Sequence, residues 1–309
     1  MNVFVIGATG FVGGALARHL TARGHQVTGL ARTGAAAVAL SADGITPVAA
    51  DLDSRRSATI DAALRADAVL YAAQADPALE TATVDRLTRA MAGTGKTLVF
   101  LSGSGVLLQR TAGAWSQDSF AEHDPFVVEP LAIARKAAED TVLGAASDRL
   151  RAMVVRPGLI WGPGDHGHVP MTYQSVAATG AACYVGTGLN AYSHVHIDDV
   201  TRLFDLASKA GRPGGLYHAV AGEVPNRWIA ERVADDLGCD TRSLTPEEAA
   251  LVWGEFGALV MAASSRLRSV CAQQELGWRP EHTDMLSTIG AARLRKLAAP
   301  SHPPVNRVN

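Results

Sequence analysis

The segment that most constrains the fold is Gly7-Ala8-Thr9-Gly10-Phe11-Val12-Gly13. It follows a short apolar run at 3–6 and precedes a segment of helical period at 11–22. Glycines at these places allow a tight turn, a close approach of phosphate to the backbone, and close packing of helix on strand. Because the amides of a helix N-terminus bind anions, the pattern predicts a dinucleotide site. The residues expected around its pyrophosphate are Gly7, Thr9, Gly10, Phe11, Val12 and Gly13.

Short apolar runs and helix-period segments alternate along the first half of the chain. Strands are predicted at 3–6, 27–30, 46–50, 68–72, 98–101 and 152–156, and helices at 11–22, 35–40, 57–64, 78–91 and 131–143. Strands this apolar are covered on both faces, which predicts an α/β fold with a doubly wound parallel Rossmann sheet.

After about residue 161 the pattern changes to loops rich in glycine and histidine. Helices are expected to start near residues 198, 225, 246 and 265, with a strand at 216–220. We therefore predict a dinucleotide-binding domain at 1–160 and a smaller, mainly helical substrate-binding part at 161–298 that returns to the sheet near 195–220. The proline-rich segment at 299–309 is predicted to be a flexible tail.

The charge and cysteine content exclude several classes of partner. With 28 basic and 30 acidic residues the net charge is −2, so no basic field is expected to attract nucleic acid or a membrane, and a small-molecule substrate is the expected partner. The three cysteines are far apart and form no CxxC pair. Together with a start that does not resemble a signal peptide, they favour a cytoplasmic protein without a disulfide framework.

No metal site is expected. His194 and His196 alternate on a strand just before Asp198 and Asp199, but a helix cap and backbone hydrogen bonds explain these residues.

The end of the second predicted strand bears on the choice of cofactor. A site that prefers NAD carries Asp or Glu there to bind the ribose 2′-hydroxyl, whereas this chain reads Gly29-Leu30-Ala31-Arg32-Thr33. Arg32 can direct two donors at a 2′-phosphate, so NADP or NADPH is predicted over NAD. The alternative is that Arg32 is only a solvated loop charge.

Further segments resemble the extended and atypical short-chain dehydrogenases/reductases, the NAD-dependent epimerase/dehydratase family, from residue 1 to about 278. They are Asp51-Leu52, Tyr71-Ala72-Ala73, 156–164, 194–200 and 276–280. The resemblance implies that Asp51 and Leu52 contact adenine, and that Ala72 and Ala73 lie beneath the cofactor. It also implies that Pro157, Gly158 and Leu159 shape the nicotinamide pocket, and that a homodimer forms through the helix at 131–143.

The family usually places Tyr four residues before Lys on one helix, where the two share a face and the ammonium lowers the pKa of the phenol. Here Lys136 aligns with the lysine, which implies that it holds the nicotinamide ribose, but Ala132 stands at the tyrosine position. The substrate-orienting Ser or Thr position is Gly103, so Ser102 or Ser104 is expected to take that role. The proton donor is left open among nearby loop residues: Tyr173, Tyr192, Glu122, His123, Asp124, His166 and His168.

These patterns favour an NADP-dependent oxidoreductase acting on a carbonyl or alcohol group of a small or medium organic substrate. Two alternatives also account for Ala132: a non-redox epimerase, dehydratase or cyclase that reuses the fold, and a catalytically silent NADP-binding sensor.

Overall fold

The computed structural model describes residues 1–299, so the predicted tail lies, from residue 300 onward, outside the described residues. The strands are β1 (Asn2–Ile6), β2 (Gln26–Ala31), β3 (Thr46–Ala49), β4 (Ala68–Tyr71), β5 (Lys96–Leu101), β6 (Leu150–Pro157), β7 (Leu159–Trp161), β8 (Ala182–Val185), β9 (Ala191–His196), β10 (Leu216–Ala219), β11 (Gly222–Pro225) and β12 (Thr241–Leu244). The helices are α1 (Phe11–Ala22), α2 (Gly34–Ala42), α3 (Arg56–Arg65), α4 (Pro77–Met91), α5 (Ile133–Gly144), α6 (His168–Thr179), α7 (Ile197–Ala210), α8 (Asn226–Leu237), α9 (Pro246–Ala262), α10 (Cys271–Leu276) and α11 (Ala292–Leu297).

The main sheet has seven strands in the order β3-β2-β1-β4-β5-β6-β10, and every neighbouring pair is parallel. Val3 of β1 pairs with Val27 of β2 on one side and with Ala68 of β4 on the other. The strand order therefore reverses between β1 and β4, which opens a crevice at the carboxyl ends of these strands.

Helices cover both faces of this sheet, as predicted for a doubly wound fold. Val3 and Val5 of β1 belong to one core cluster with residues of α1 and α7, whereas Phe4 and Ile6 belong to a second cluster with residues of α3, α4 and α5. Successive side chains of a strand point to opposite faces, so a continuously apolar strand supplies both cores. No helix in residues 1–299 is long and apolar enough to cross a membrane.

The second half of the chain builds two small sheets, β11-β9-β7 and β12-β8, with α6, α8, α9 and α11 packed around them. β10 returns to the edge of the main sheet beside β6. The helix predicted near residue 265 is wrong: Ser264 and Ser265 pair with Gln109 and Tyr192, and the next helix starts at Cys271. These backbone pairings join distant parts of the chain, so no local sequence pattern could predict them.

Candidate functional site

A cavity of about 760 Å³ occupies the crevice between β1 and β4. Its wall contains most of the residues predicted to surround a dinucleotide: Gly7, Thr9, Gly10, Phe11, Val12, Arg32, Asp51, Leu52, Ala72, Ala73 and Ser102. It also contains residues that the sequence analysis did not single out, namely Ile6, Leu30, Asp53, Gln74, Ala75, Asp76, Leu79, Leu101 and Arg135.

The glycine loop brings the start of α1 to the floor of this cavity. Gly7 has a φ of 94°, and a Cβ atom there would lie 2.7 Å from the carbonyl carbon of Ala72. A Cβ on Gly13 would lie 2.1 Å from the Gly7 oxygen, so α1 can pack this closely against the loop only with glycine at that position. Gly13 does not line the cavity. No side chain caps α1 at Gly10, which leaves the first amides of the helix available to an anion.

At the β2–β3 end of the cavity, Asp51 organises a tight turn. Its carboxylate accepts hydrogen bonds from the amides of Asp53 and Arg55 at 2.9 and 2.8 Å and from the Ser54 hydroxyl at 2.8 Å. These donors, the Arg55 amide above all, hold the pKa of Asp51 far below its ordinary value. Asp51 is therefore anionic, and most of its acceptor capacity is already used within the turn.

Arg32 lies beside this turn and is exposed. The Arg55 guanidinium donates to Asp51 Oδ2 at 3.1 Å and to the Arg32 carbonyl oxygen at 3.1 Å, which fixes the backbone that carries Arg32. The Arg32 guanidinium itself makes no ion pair with another residue in 1–299. Thr33 caps α2 by accepting from the Ala36 amide at 3.2 Å.

At the β4–β5 end the cationic residue in the cavity wall is Arg135. Lys136 Nζ forms an ion pair with Asp140 one turn along α5, and Lys136 does not line the cavity. Arg135 Nη1 lies 3.0 Å from Glu80 Oε1 and donates to the Leu101 carbonyl oxygen at 3.3 Å. One residue along a helix corresponds to about 100° of rotation, so only one of two neighbouring side chains can face the cavity.

Ser102 and Ser104 occupy different environments. Ser102 lines the cavity, and its Oγ atom is enclosed without a hydrogen-bond partner among residues 1–299. Ser104 is buried at the start of a 3₁₀ turn outside the cavity wall, and its carbonyl oxygen accepts from the Ser265 hydroxyl at 2.7 Å. Of the two serines, only Ser102 lines this cavity.

A loop at 162–167 carries His166 to the mouth of the cavity. The His166 ring lies 4.7 Å from the Phe11 ring, and His166 also borders a small second cavity formed with Leu159 and Trp161. Arg293 of α11 holds the loop by donating to the carbonyl oxygens of Gly162, at 2.8 Å, and Gly164.

The comparison with family models agrees with this geometry. The model described as the NAD dependent epimerase/dehydratase family matches residues 3–220. The chain belongs to that family. The sequence-based resemblance to it is thereby confirmed.

Individual proteins are similar to this one over most of the chain. An uncharacterized protein of Schizosaccharomyces pombe is 31% identical, and the alignment covers 94% of this chain and 99% of that protein. The 2-alkyl-3-oxoalkanoate reductase of Stenotrophomonas maltophilia is 30% identical, covering 77% of this chain and 76% of the reductase. Among solved structures, the dTDP-glucose 4,6-dehydratase DesIV of Streptomyces venezuelae with NAD bound superposes with a TM-score of 0.74 at 21% identity, covering 96% of each chain.

The two tyrosines considered as proton donors of an epimerase/dehydratase family site do not line the cavity. Tyr173 is fully buried; its hydroxyl donates to Asp236 at 2.6 Å and accepts from the Gly290 amide, and burial raises its pKa to about 12. Tyr192 is 5% exposed and packs edge-on against His168, and burial raises its pKa strongly. Both phenols serve the packing of the C-terminal part.

Of the other candidate proton donors, only His166 lines the cavity. Glu122 is buried and accepts from the amides of His218, Val270 and Cys271, while Asp124 accepts from the Ala121 amide and pairs with Arg268. His123 is exposed and does not line the cavity. His168 is buried in α6, and burial lowers its pKa to about 4.

The segment expected to shape the nicotinamide pocket is used for packing. Pro157 pairs with Ala219 of β10, and a Cβ on Gly158 would lie 2.3 Å from the Ser193 oxygen of β9. Leu159 borders the second cavity and not the main one.

Near the start of α7 the structure groups three potential metal ligands, His196, Asp198 and His282, whose ligand atoms lie within 4.8 Å of one another. His196 Nδ1 accepts from the Asp198 amide at 3.3 Å, so His196, and not Asp198, caps α7. The His194 Nδ1 atom accepts from Trp161 and takes no part in the group.

The sequence analysis missed Arg135 and Glu80. Arg135 shares a helix face with Glu139, four residues later, and Glu139 pairs with the buried Arg156 of β6, a long-range contact that the local sequence does not reveal. Glu80 lies in the first turn of α4, directly after β4 and the cavity-lining residues Ala72 to Asp76.

Proposed function

We propose that this protein is an oxidoreductase that uses NADPH to reduce a carbonyl group of a small or medium-sized organic substrate, or NADP for the reverse oxidation. The observation that carries the proposal is Arg32. Its guanidinium borders the cavity at the end of β2, where an NAD-selective site carries a carboxylate, and it pairs with no acidic residue in 1–299. A 2′-phosphate would complete its coordination.

The residues fit such a cofactor. The Gly7 and Gly13 positions have no room for a side chain, so the loop backbone packs closely against its neighbours. This loop forms a cradle of backbone in front of the α1 amides, which no side chain caps. These amides would bind the pyrophosphate, Arg32 would bind the 2′-phosphate, and the wall at Asp51 and Leu52 would contact the adenine. Bound NADPH would supply the hydride.

The relatives support a redox reaction. The Stenotrophomonas maltophilia relative is named a reductase of a 3-oxoalkanoate, which is a carbonyl compound. DesIV is similar at 21% identity, which argues for a shared fold and not for dehydration by this chain.

Hydride transfer to a carbonyl leaves an alkoxide that must take up one proton. Within residues 1–299, the cavity wall contains no phenol that could donate it. We propose that the unpartnered Ser102 hydroxyl donates a hydrogen bond to the substrate oxygen, and that water supplies the proton. The reaction then balances as NADPH, one proton and a carbonyl giving NADP and an alcohol.

The first experiment is a fluorescence titration of the purified protein with NADPH and with NADH, repeated for Arg32→Ala and for Arg89→Ala. Arg89 is an exposed arginine on α4 that pairs with Asp85 away from the cavity. We expect NADPH to bind more tightly than NADH, and Arg32→Ala to weaken NADPH binding about tenfold or more with little effect on NADH. Arg89→Ala should behave as the wild type.

Failure of both cofactors to bind would overturn the redox proposal. An unchanged NADPH preference in Arg32→Ala would overturn the role of Arg32. Incubation with 3-oxoacyl substrates then separates the three classes of function: a reductase consumes NADPH, an epimerase or dehydratase converts a substrate without net cofactor change, and a sensor binds the cofactor without turnover.

A further inference from the structure

A cluster of three potential metal ligands lies outside the cavity, at the junction of β9 and α7. His196 and Asp198 belong to this junction, and His282 comes from the segment between α10 and α11. Each residue offers one ligand atom, and the three atoms lie within 4.8 Å of one another. Nδ1 of His196 and Oδ2 of Asp198 are 3.5 Å apart. Two ligands on one tetrahedral zinc ion are roughly 3.3 Å apart, so this spacing already suits a shared ion.

A buried carboxylate holds His282 in place. Asp199 is fully buried and accepts hydrogen bonds from the amides of Glu281 at 3.0 Å and of His282 at 2.9 Å. Its Oδ2 atom also lies 3.4 Å from Nδ1 of His282. A carboxylate behind one ring nitrogen is the usual partner of a metal-bound histidine, because it fixes the ring and directs the other nitrogen to the metal. Asp199 therefore gives His282 the surroundings of a metal ligand.

His196 is held by packing against two other rings. Its ring lies 4.5 Å from the Trp161 ring and 4.3 Å from the His282 ring. Nδ1 of His196 accepts from the Asp198 amide, so the imidazole carries a lone pair on the side of Asp198. At 3.3 Å this hydrogen bond is longer than usual, and a metal ion can replace it. The side chains of His282 and Asp198 are 44% and 65% exposed, so both can rotate toward an ion.

The local charge favours a cation. Asp199 and Glu281 share the guanidinium of Arg202, and Asp198 pairs with no lysine or arginine in residues 1–299. Carboxylates thus outnumber the permanent cations among these residues. The dipole of α7 opposes a cation at its N-terminus, but the two carboxylates in the first turn, Asp198 and Asp199, offset it.

The donor atoms select the kind of metal. Two imidazole nitrogens and one carboxylate oxygen suit Zn²⁺, whereas Mg²⁺ and Ca²⁺ prefer oxygen ligands alone. Water can supply the fourth ligand of a tetrahedral ion on the exposed side of His282.

We propose that His196, Asp198 and His282 form a binding site for Zn²⁺. The sequence analysis expected no metal here because the third ligand comes from a distant segment of the chain. None of the three residues lines the cavity, so the ion does not take part in the proposed reaction. It fastens the segment at 278–284 to the start of α7. A Cβ on Gly162 would lie 3.2 Å from Nε2 of His196, so the site also adjoins the loop that carries His166.

The test is a calorimetric titration with ZnCl₂ at neutral pH, where histidine is largely deprotonated, on protein without an affinity tag and freed of metal by EDTA and dialysis. MgCl₂ is the control salt. The variants are His282→Ala, Asp198→Asn, His196→Asn and His123→Ala. Asparagine at position 196 can still cap α7. His123 is an exposed histidine outside the cluster, so His123→Ala is the matched control.

The wild type is expected to bind one Zn²⁺ per chain, and its melting temperature should rise with the Zn²⁺ concentration. Each variant of His196, Asp198 or His282 should bind Zn²⁺ about tenfold more weakly or worse, and should lose most of that rise. His123→Ala should behave as the wild type. MgCl₂ should give neither binding nor a higher melting temperature. In the absence of Zn²⁺, His282→Ala and Asp198→Asn should melt as the wild type does, because both side chains are exposed.

A wild type that does not bind Zn²⁺ overturns the inference, as does unchanged Zn²⁺ binding in both His282→Ala and Asp198→Asn. An equal loss in His123→Ala would show adventitious binding to scattered surface histidines and would also overturn it. If His196→Asn does not fold, the two variants at exposed positions decide. None of these titrations contains NADPH, so the site and the proposed function can fail independently of each other.

Discussion

Glu139 and Arg156 form a buried ion pair in which Glu139 Oε1 and Arg156 Nε are 2.8 Å apart. The side chains are 0% and 2% exposed, so the pair lies wholly within the interface between α5 and β6. Residues four apart share a helix face, and anchoring Glu139 therefore also directs Arg135 inward while Lys136 turns toward Asp140. The rotation of one helix thus decides which cation reaches the cavity.

The first prediction concerns the stability that this pair provides. Glu139→Ala leaves the Arg156 charge buried without its partner, and we expect the free energy of unfolding to fall by about 3–5 kcal/mol in urea denaturation. Asp85→Ala, which breaks the exposed pair with Arg89, should cost less than about 1 kcal/mol. Equal losses in the two variants would contradict the assignment of the buried pair.

The second prediction separates two glycines of the cradle. A Cβ on Gly10 would lie 3.3 Å from the Gly7 oxygen, a tight contact that small shifts can relieve, but it would project where a phosphate approaches. Gly10→Ala should therefore nearly keep the melting temperature and lose NADPH binding. Gly7→Ala forces alanine to a φ of 94° against the Ala72 backbone and should lower the melting temperature itself. Gly10→Ala protein that binds NADPH normally would refute this role of the loop.

The third prediction compares two serines. The Ser102 Oγ atom is enclosed without a partner, so Ser102→Ala removes an unsatisfied polar group and should not reduce stability. We expect its kcat with a carbonyl substrate to fall about tenfold or more, since the hydrogen bond to the developing alkoxide is lost. Ser104→Ala is the control and should keep kcat. A full kcat in Ser102→Ala would show that another group orients the substrate.

The fourth prediction concerns pH. Burial lowers the pKa of His168, His194 and His218 to about 4, below the value of an unfolded histidine. The unfolded chain then binds protons first as the pH falls, so the stabilisation present above pH 6.5 is lost progressively between about pH 6.5 and 4. Each histidine can contribute up to about 3 kcal/mol of that loss.

Urea titrations at several pH values between 7.5 and 4.5 measure this loss. His218→Gln should reduce the slope of unfolding free energy against pH, and His123→Gln, at an exposed position, should leave it unchanged. A stability that is constant down to pH 4.5 would contradict the burial of neutral histidines.

Much of the main sheet could be predicted because its signals are local. The α1 helix begins and ends where its apolar period does, at Phe11 and Ala22, and the turn between β1 and α1 follows from Gly7. Which face of α5 points to the cavity could not be predicted from local signals, because it depends on the ion pair between Glu139 and Arg156 of β6. The same holds for Ser264 and Ser265, whose backbone pairs lie more than 70 residues away along the chain.

The hydrogen bond from Arg293 to Gly162 spans 131 residues of sequence. A chain emerging from the ribosome exposes the glycine loop and β1 before α11. The mouth of the cavity beside His166 therefore acquires its final shape only after α11 has docked. During synthesis, the glycine loop at the floor of the cavity is therefore available before the loop at its mouth is held in place by Arg293.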